Sequence, residues 1–198
     1  MTDFVSFQKI ARYSRGVIVT EKLDGTNASV YIGEDGEFLT GSRNRWITPE
    51  ADNHGFARWA NTHREELLTL GPGRHFGEWW GSGIQRGYGL PNGDKRFSLF
   101  NVTRWCLHGQ VPLVLPTNDP KVTKKQDILP PCVGLVPLLC MVNFDDLCPT
   151  AWINELKEHG SYAAPFMNPE GIVIYHTASG TLFKKTIEND DKAKSEVA

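Results

Sequence analysis

One short segment carries the residue types for covalent chemistry: Lys22-Leu23-Asp24-Gly25 puts an amine, a carboxylate and a glycine within four positions, between two β-branched runs. The runs at 17–21 and 26–32 predict strands, so Lys22 stands at a strand end before a glycine turn, where its side chain is aimed predictably. A lysine nucleophile attacks only as the neutral amine, whereas free lysine has a pKa of about 10.4 and is almost wholly protonated at neutral pH. Its surroundings must disfavour the ammonium, by desolvation or by nearby positive charge, and Lys184 and Lys185 are candidates for the latter. The tetrad alone is a weak signal, because average residue usage yields a chance match in roughly a few chains per hundred.

What lifts it is order. Downstream come Phe76-Gly77-Glu78-Trp79, Phe97-Ser98-Leu99-Phe100, Glu170-Gly171-Ile172-Val173 and Phe183-Lys184-Lys185-Thr186. With K-x-D-G at 22–25 as motif I, these resemble motifs III, IIIa, IV and V of the covalent nucleotidyltransferases, the superfamily of ATP-dependent DNA ligases, RNA ligases and mRNA capping enzymes. The wider context Glu21-Lys22-Leu23-Asp24-Gly25-Thr26-Asn27 and the pair Ser42-Arg43, placed as motif Ia, are similar to the RNA ligase branch. The resemblance spans residues 20 to 186.

That resemblance implies an α+β nucleotidyltransferase fold of the ATP-grasp-like ligase adenylation type, with antiparallel sheets flanked by helices and a single domain over 1–198. It implies ATP as AMP donor, with Lys22 attacking the α-phosphate and Asp24, Lys184 and Lys185 sharing the catalytic work. Asp24, Glu78 and Glu170 would hold Mg²⁺ or Mn²⁺, largely through water, since magnesium dehydrates reluctantly. Glu21 would lie beside the adenine, Glu78 would accept from a ribose hydroxyl, and Arg43 would meet ribose or phosphate. Phe97 and Phe100 face opposite ways in an alternating strand, so one stacks on the base and the other packs in the core; motif position favours Phe100. Motif V departs from the family pattern, whose two lysines sit at alternate positions. Adjacent Lys184 and Lys185 must point to opposite faces unless a bulge intervenes, and Lys184 is the stronger candidate.

The elements that would position these residues can be read from periodicity. The 33–36 segment predicts a hairpin turn, 53–70 a helix capped by Asp52 or Asn53 and ended by Gly71-Pro72-Gly73, and 151–159 a second helix. Strands are expected at 75–80 and 97–102, and 171–176 and 181–186 form a hairpin around 177–180. The stretch 111–137 resists assignment. The glycine- and aromatic-rich run 79–89 has irregular glycine spacing and is no dinucleotide fingerprint; Arg86 and Tyr88 either touch a phosphate and a base of an RNA end or belong to a structural loop.

Composition narrows the classes. A chain of 198 residues with 40% hydrophobic and 22% charged residues is ordinary for one globular core, and a formal charge of −2 argues against coating nucleic acid by bulk charge while leaving room for a local basic groove. No signal-peptide or membrane-spanning run is present, so an intracellular, cytoplasmic protein without membrane contact is expected. The four cysteines contain no C-x-x-C pair and are expected as buried, reduced thiols; Cys106 and His108 alone would not make a structural zinc site. The six histidines form no i, i+4 pair and receive no role.

The expected partner is RNA with 5′-phosphate and 3′-OH ends, together with end-healing enzymes. Nick sealing in DNA and guanylyl transfer use the same tetrad, but both branches usually add an oligonucleotide-binding (OB) barrel after motif V. Residues 187–198 leave no room for one, which favours a minimal RNA ligase. A nucleotide-binding module of an RNA-repair complex is the non-enzymatic alternative.

Overall fold

The computed structural model describes residues 2–106 and 127–192. His108, residues 111–126 of the unassigned stretch and residues 193–198 of the tail lie outside the described residues. In chain order the elements are β1 (Gly16–Lys22), β2 (Thr26–Ile32), β3 (Phe38–Ser42), β4 (Trp46–Ile47), α1 (Phe56–Thr62), α2 (Arg64–Leu68), β5 (Gly73–Gly81), β6 (Lys95–Leu99), β7 (Trp105–Cys106), β8 (Asp127–Ile128), β9 (Val133–Leu135), β10 (Leu138–Asn143), α3 (Pro149–His159), β11 (Gly171–His176) and β12 (Thr181–Thr186).

β1 and β2 are consecutive, yet they belong to different sheets. One has the order β10-β1-β11-β12 and the other β4-β3-β2-β5-β6-β9. Lys22 pairs with Gly171 in the first and Thr26 with Trp79 in the second, so the tetrad is the crossing between them. Most pairings are antiparallel, as expected, but β6–β9 and β7–β8 are parallel, so the architecture is mixed α+β.

Period-2 alternation decides what each sheet face meets. In the first sheet Val17, Val19, Ile172 and Ile174 pack with Ile153 and Leu156 of α3. In the second, Ala28, Val30, Trp79, Phe97 and Leu99 pack with Phe56, Ala60 and Leu67 of α1 and α2. The other two faces look towards each other. A smaller cluster of Ile18, Leu23, Trp80, Tyr88 and Val136 joins them.

The expected helix 53–70 is two helices broken at His63, whose φ of −101° and ψ of 19° leave the helical region. Asn61 Nδ2 bonds back to the Ala57 carbonyl at 2.8 Å and Thr62 Oγ1 to that of Arg58 at 3.0 Å, contacts that compete with the backbone ladder and bend a helix. Asp52 caps the start from outside, accepting from Ala57 N at 2.8 Å and Arg58 N at 3.1 Å. The strand expected at 97–102 stops at Leu99, because Asn101 Oδ1 accepts from Arg104 N at 3.2 Å and turns the chain. Cys132 and Cys140 are only half-buried and Cys148 is exposed, so the expectation of buried thiols is corrected; these three are unbridged. Among the described residues no helix is long and apolar enough to cross a membrane.

Gly25 is fixed by the crossing. A Cβ there would run into the Trp79 carbonyl and lie 2.8 Å from Trp80 Cβ, so the tetrad glycine lets β2 leave the first sheet against β5. Gly25→Ala is expected to lower unfolding free energy by about 1–3 kcal/mol, the cost of overpacking, in a denaturant titration. An unchanged midpoint would show that the crossing can relax.

Candidate active site

The two facing sheets enclose a cleft of about 890 Å³ lined from both sides, by Ile18, Thr20 and Lys22 of β1 and by Asn27, Ser29, Phe76 and Glu78 of β2 and β5. Such a volume suits a nucleotide-sized ligand. Lys22, at the last position of β1, extends into it and donates from Nζ to Glu170 Oε2 at 2.6 Å. The lysine side chain is 22% exposed and that of Glu170 11%, so the pair is sheltered but reachable.

Glu78 completes this cluster from the opposite sheet. It accepts from Gly25 N and from Asn27 Nδ2, both at 3.1 Å, which ties it to the tetrad turn. Burial pushes its carboxyl up to about 7; Lys22 and the Gly25 amide pull it down, and Glu170 pushes it up again. Two converging carboxylates, one of them disfavoured in its charged form, fit the surroundings of a divalent cation. Among the described residues no three-membered His, Cys, Asp or Glu cluster exists, so the fit is to an ion held mainly through its own water.

Asp24, expected as the third metal residue, faces elsewhere. Its Oδ2 accepts from Arg86 Nε at 3.0 Å, and Arg86 also donates to the Asn168 carbonyl at 3.1 Å and Glu188 Oε2 at 3.4 Å. Tyr88 is 1% exposed, and its hydroxyl accepts from Asp24 N at 3.0 Å while donating towards the Lys22 carbonyl at 3.5 Å. Burial pushes its phenol upward, which keeps that donor protonated. Arg86 and Tyr88 therefore brace the tetrad from behind, and the structural reading of the 79–89 loop replaces contact with an RNA end. Tyr88 holds a left-handed φ of 51°, a conformation that non-glycine residues seldom adopt and that marks this brace as a site of backbone strain.

The Glu21 carboxylate is also turned away from the cleft, as alternation from Lys22 requires. It is 1% exposed, with Ser161 Oγ donating to Oε1 at 2.6 Å and Tyr162 N to Oε2 at 2.8 Å. Burial raises its pKa, and those hydrogen bonds restrain the rise. With both oxygens engaged, its carboxylate is a brace between β1 and the loop after α3, while the residue itself borders the cleft. Nothing local in the sequence indicated Ser161 as its partner, since 140 positions separate them.

Phe100 lines the cleft and is 42% exposed, whereas Phe97 is buried in the core behind β6. Arg43 stands on the cleft rim. Lys184 pairs with Val173 and lines the cleft; Lys185 pairs with Ile172, on the core side, and its Nζ donates to Asp190 Oδ2 at 3.1 Å. The structure thus brings Lys22, Glu78, Arg43, Phe100 and Lys184 to one cavity, with Glu170 held on Lys22; Glu21 borders the cavity while its carboxylate is bound to Ser161 and Tyr162, and Asp24 and Lys185 do not line it.

The raised carboxyl of Glu78 predicts a pH dependence. Between about 4.5, the ordinary carboxyl value, and about 7 the folded chain keeps a proton that the unfolded chain has lost. Stability of the metal-free protein should fall as pH rises through that window and level off above it. Glu78→Gln should flatten this slope in thermal melts taken from pH 5 to 8 (about three units of buffer range), and a persistent slope would assign it to other groups.

Comparisons with known proteins follow the same geometry. The RNA ligase family model matches residues 15–187. Among solved structures, a variant of the Naegleria gruberi RNA ligase with ATP and Mn aligns at a TM-score of 0.54 and 19% identity over 89% of this chain and 51% of that one. A variant of the same enzyme with AMP and Mn gives 0.54 and 21% over 88% and 50%, and the enzyme with PPi gives 0.52 and 19% over 94% and 57%. The chain spans about half the length of these structures, and at such identities the likeness concerns the fold. No curated protein matches the sequence. The family match takes in both sheets of the cleft, from the residue before β1 to the one after β12, and this chain belongs to the RNA ligase family.

Proposed function

We propose that this chain is the nucleotidyltransferase domain of an ATP-dependent RNA ligase, with Lys22 as the nucleophile. The observation that carries the reading is Lys22 Nζ held 2.6 Å from Glu170 inside an inter-sheet cleft whose other wall presents Glu78 and Phe100. The relatives solved with ATP or AMP and Mn support the choice of nucleotide and cation.

In this reading the α-phosphate of ATP meets Lys22. The amine must lose a proton before attack, and Glu170 Oε2 is positioned to accept it. A nitrogen–phosphorus bond to AMP then forms as the bond to pyrophosphate breaks. Lys184 and Arg43 offer fixed positive charge to the phosphates, and Phe100 offers a ring to the adenine. Mg²⁺ or Mn²⁺ near Glu78 and Glu170 would neutralise charge on the departing pyrophosphate. An RNA 5′-phosphate next takes AMP from the lysine, returning the amine, and a 3′-hydroxyl attacks that phosphate to seal the strand and release AMP. Asp24 and Glu21 act by holding the tetrad in place, and no ligand contact is assigned to them. A cytoplasmic role in RNA repair beside end-healing enzymes is consistent with this chemistry.

Incubation with α-labelled ATP and Mg²⁺ or Mn²⁺ should label the denatured protein, and Lys22→Ala should abolish the label. Label from GTP instead would point to capping chemistry, and transfer to DNA nicks in preference to RNA ends would point to DNA sealing. No acid-labile label from either nucleotide would overturn the catalytic reading in favour of a binding module. The two adjacent lysines should separate sharply: Lys184→Ala is expected to slow labelling by about 10²–10³, the usual loss for one charge-stabilising donor, while Lys185→Ala stays within a few-fold of the parent. Equal losses would mean that the strand twists to present both.

A further inference from the structure

Beyond the nucleotide cleft, the same face of the second sheet continues as an exposed ridge of rings and guanidinium groups. Arg74, Phe76 and Glu78 alternate along β5, so all three share the cleft-facing side, and Arg74 lies roughly 13 Å from Glu78 at the rise of a strand. The Arg74 guanidinium sits 4.8 Å from the Trp46 ring centroid, 5.7 Å from Tyr31 and 5.9 Å from Phe76. Tyr31 is opposite Arg74 in the β2–β5 ladder, and Trp46 is opposite Gly41 in the β3–β4 pair. Gly41 is what lets the indole lie down on the sheet, since a Cβ there would meet the Trp46 ring at 3.3 Å.

These rings are strongly exposed for their size, Trp46 at 46% and Phe76 at 55%. A cation–π cluster that served only the fold would not need to leave its largest ring half in water. The charge around it is also unbalanced. Arg43 and Arg45 occupy the turn between β3 and β4 beside Trp46, and among the described residues neither they nor Arg74 have a carboxylate partner. In a chain of net charge −2, unpaired arginines beside flat exposed rings form a local footprint for a polyanion with π faces.

We propose that Trp46, Arg74 and Phe76, backed by Tyr31, form a stacking platform for unpaired bases of the RNA end that enters the cleft, with Arg45 on its phosphates. The inference rests on the RNA ligase reading above and assigns it a substrate class: a single-stranded end, recognised by base stacking and phosphate charge with little sequence preference. The occupant is favoured over a protein surface by continuity. Arg43, Arg74 and Phe76 already line the outer part of the same cavity that holds Lys22, so a strand leaving the reactive phosphate runs directly onto the rings.

The test is fluorescence anisotropy of a labelled, 5′-phosphorylated single-stranded oligoribonucleotide with the full chain, run beside α-labelled ATP transfer on the same preparations. Trp46→Ala should weaken RNA binding about tenfold, the usual loss of one base–aromatic stack, while its Lys22 is still labelled by ATP. Arg74→Gln should also weaken binding and reduce the slope of log K against log salt by about 0.7, one phosphate contact on a single strand. Because Trp46 is on a short, half-exposed edge strand and Arg74 is exposed, circular dichroism should show both variants folded; if one is not, the other decides. Unchanged RNA affinity in the folded variants, or no single-strand binding by the parent, overturns the platform and leaves this face to a protein partner. Failure of the parent to take label from ATP would instead count against the ligase chemistry, and the anisotropy comparison would still decide the platform.

Discussion

The cleft exists because the chain changes sheets between Lys22 and Thr26. A strand pair joined by so short a connection would ordinarily form a hairpin, yet Lys22 is hydrogen-bonded into one ladder opposite Gly171 and Thr26 into another opposite Trp79. Three contacts hold that crossing: the absent Cβ at Gly25, the Glu78 carboxylate on the Gly25 amide, and the Tyr88 hydroxyl on the Asp24 amide. Each satisfies or accommodates a backbone group that the broken ladder leaves behind, as buried amides require. The Lys22 side chain inherits its aim from this arrangement, because the last residue of β1 must point into the space between the sheets.

The tetrad therefore combines two demands in four residues. Lys22 faces the cavity, Leu23 is buried in the cluster that joins the sheets, Asp24 is gripped by Arg86, and Gly25 passes under Trp79 and Trp80. Lys22 and Leu23 border the cavity, and Asp24 and Gly25 hold the turn. The ion pair of Asp24 with Arg86, each side chain about one-fifth exposed, fixes the loop after β5 to the crossing and carries the chain from motif I to the end of β12 through Glu188. A carboxylate that looks like a ligand in the sequence can thus be placed by the fold as a structural tie.

Residues within one strand were readable in advance, because alternation converts sequence spacing directly into facing. Phe100 against Phe97 and Lys184 against Lys185 were separated by parity alone, and the ladders put them on the sides that parity requires. Parity likewise puts Glu21 opposite Lys22, although motif context suggested otherwise. What could not be read were partners far apart in sequence: Ser161 on Glu21, Tyr88 and Arg86 on the tetrad, and the arrangement of Trp46, Tyr31 and Arg74 across three strands. These depend on register and on loop closure, for which a single chain offers no periodic signal. The single helix expected at 53–70 is broken for a different reason, since the apolar spacing carries through His63 while Asn61, Thr62 and His63 bond back to the carbonyls that the helix needs.

Electrostatics separate the aim of Lys22 from its reactivity. The 2.6 Å contact with Glu170 orients the amine, but a nitrogen that donates to a carboxylate as an ammonium has no lone pair for phosphorus. Glu78, raised to about 7 by burial and by Glu170, adds negative charge that is poorly compensated within the protein itself. Positive charge arriving between the two carboxylates would favour the charged form of Glu78 and compete with Lys22 for Glu170. Lys184, two strands away on β12 of the same sheet, adds positive charge to the same cavity. In the proposed reaction, the Lys22–Glu170 pair directs the amine into the cleft before phosphates enter it.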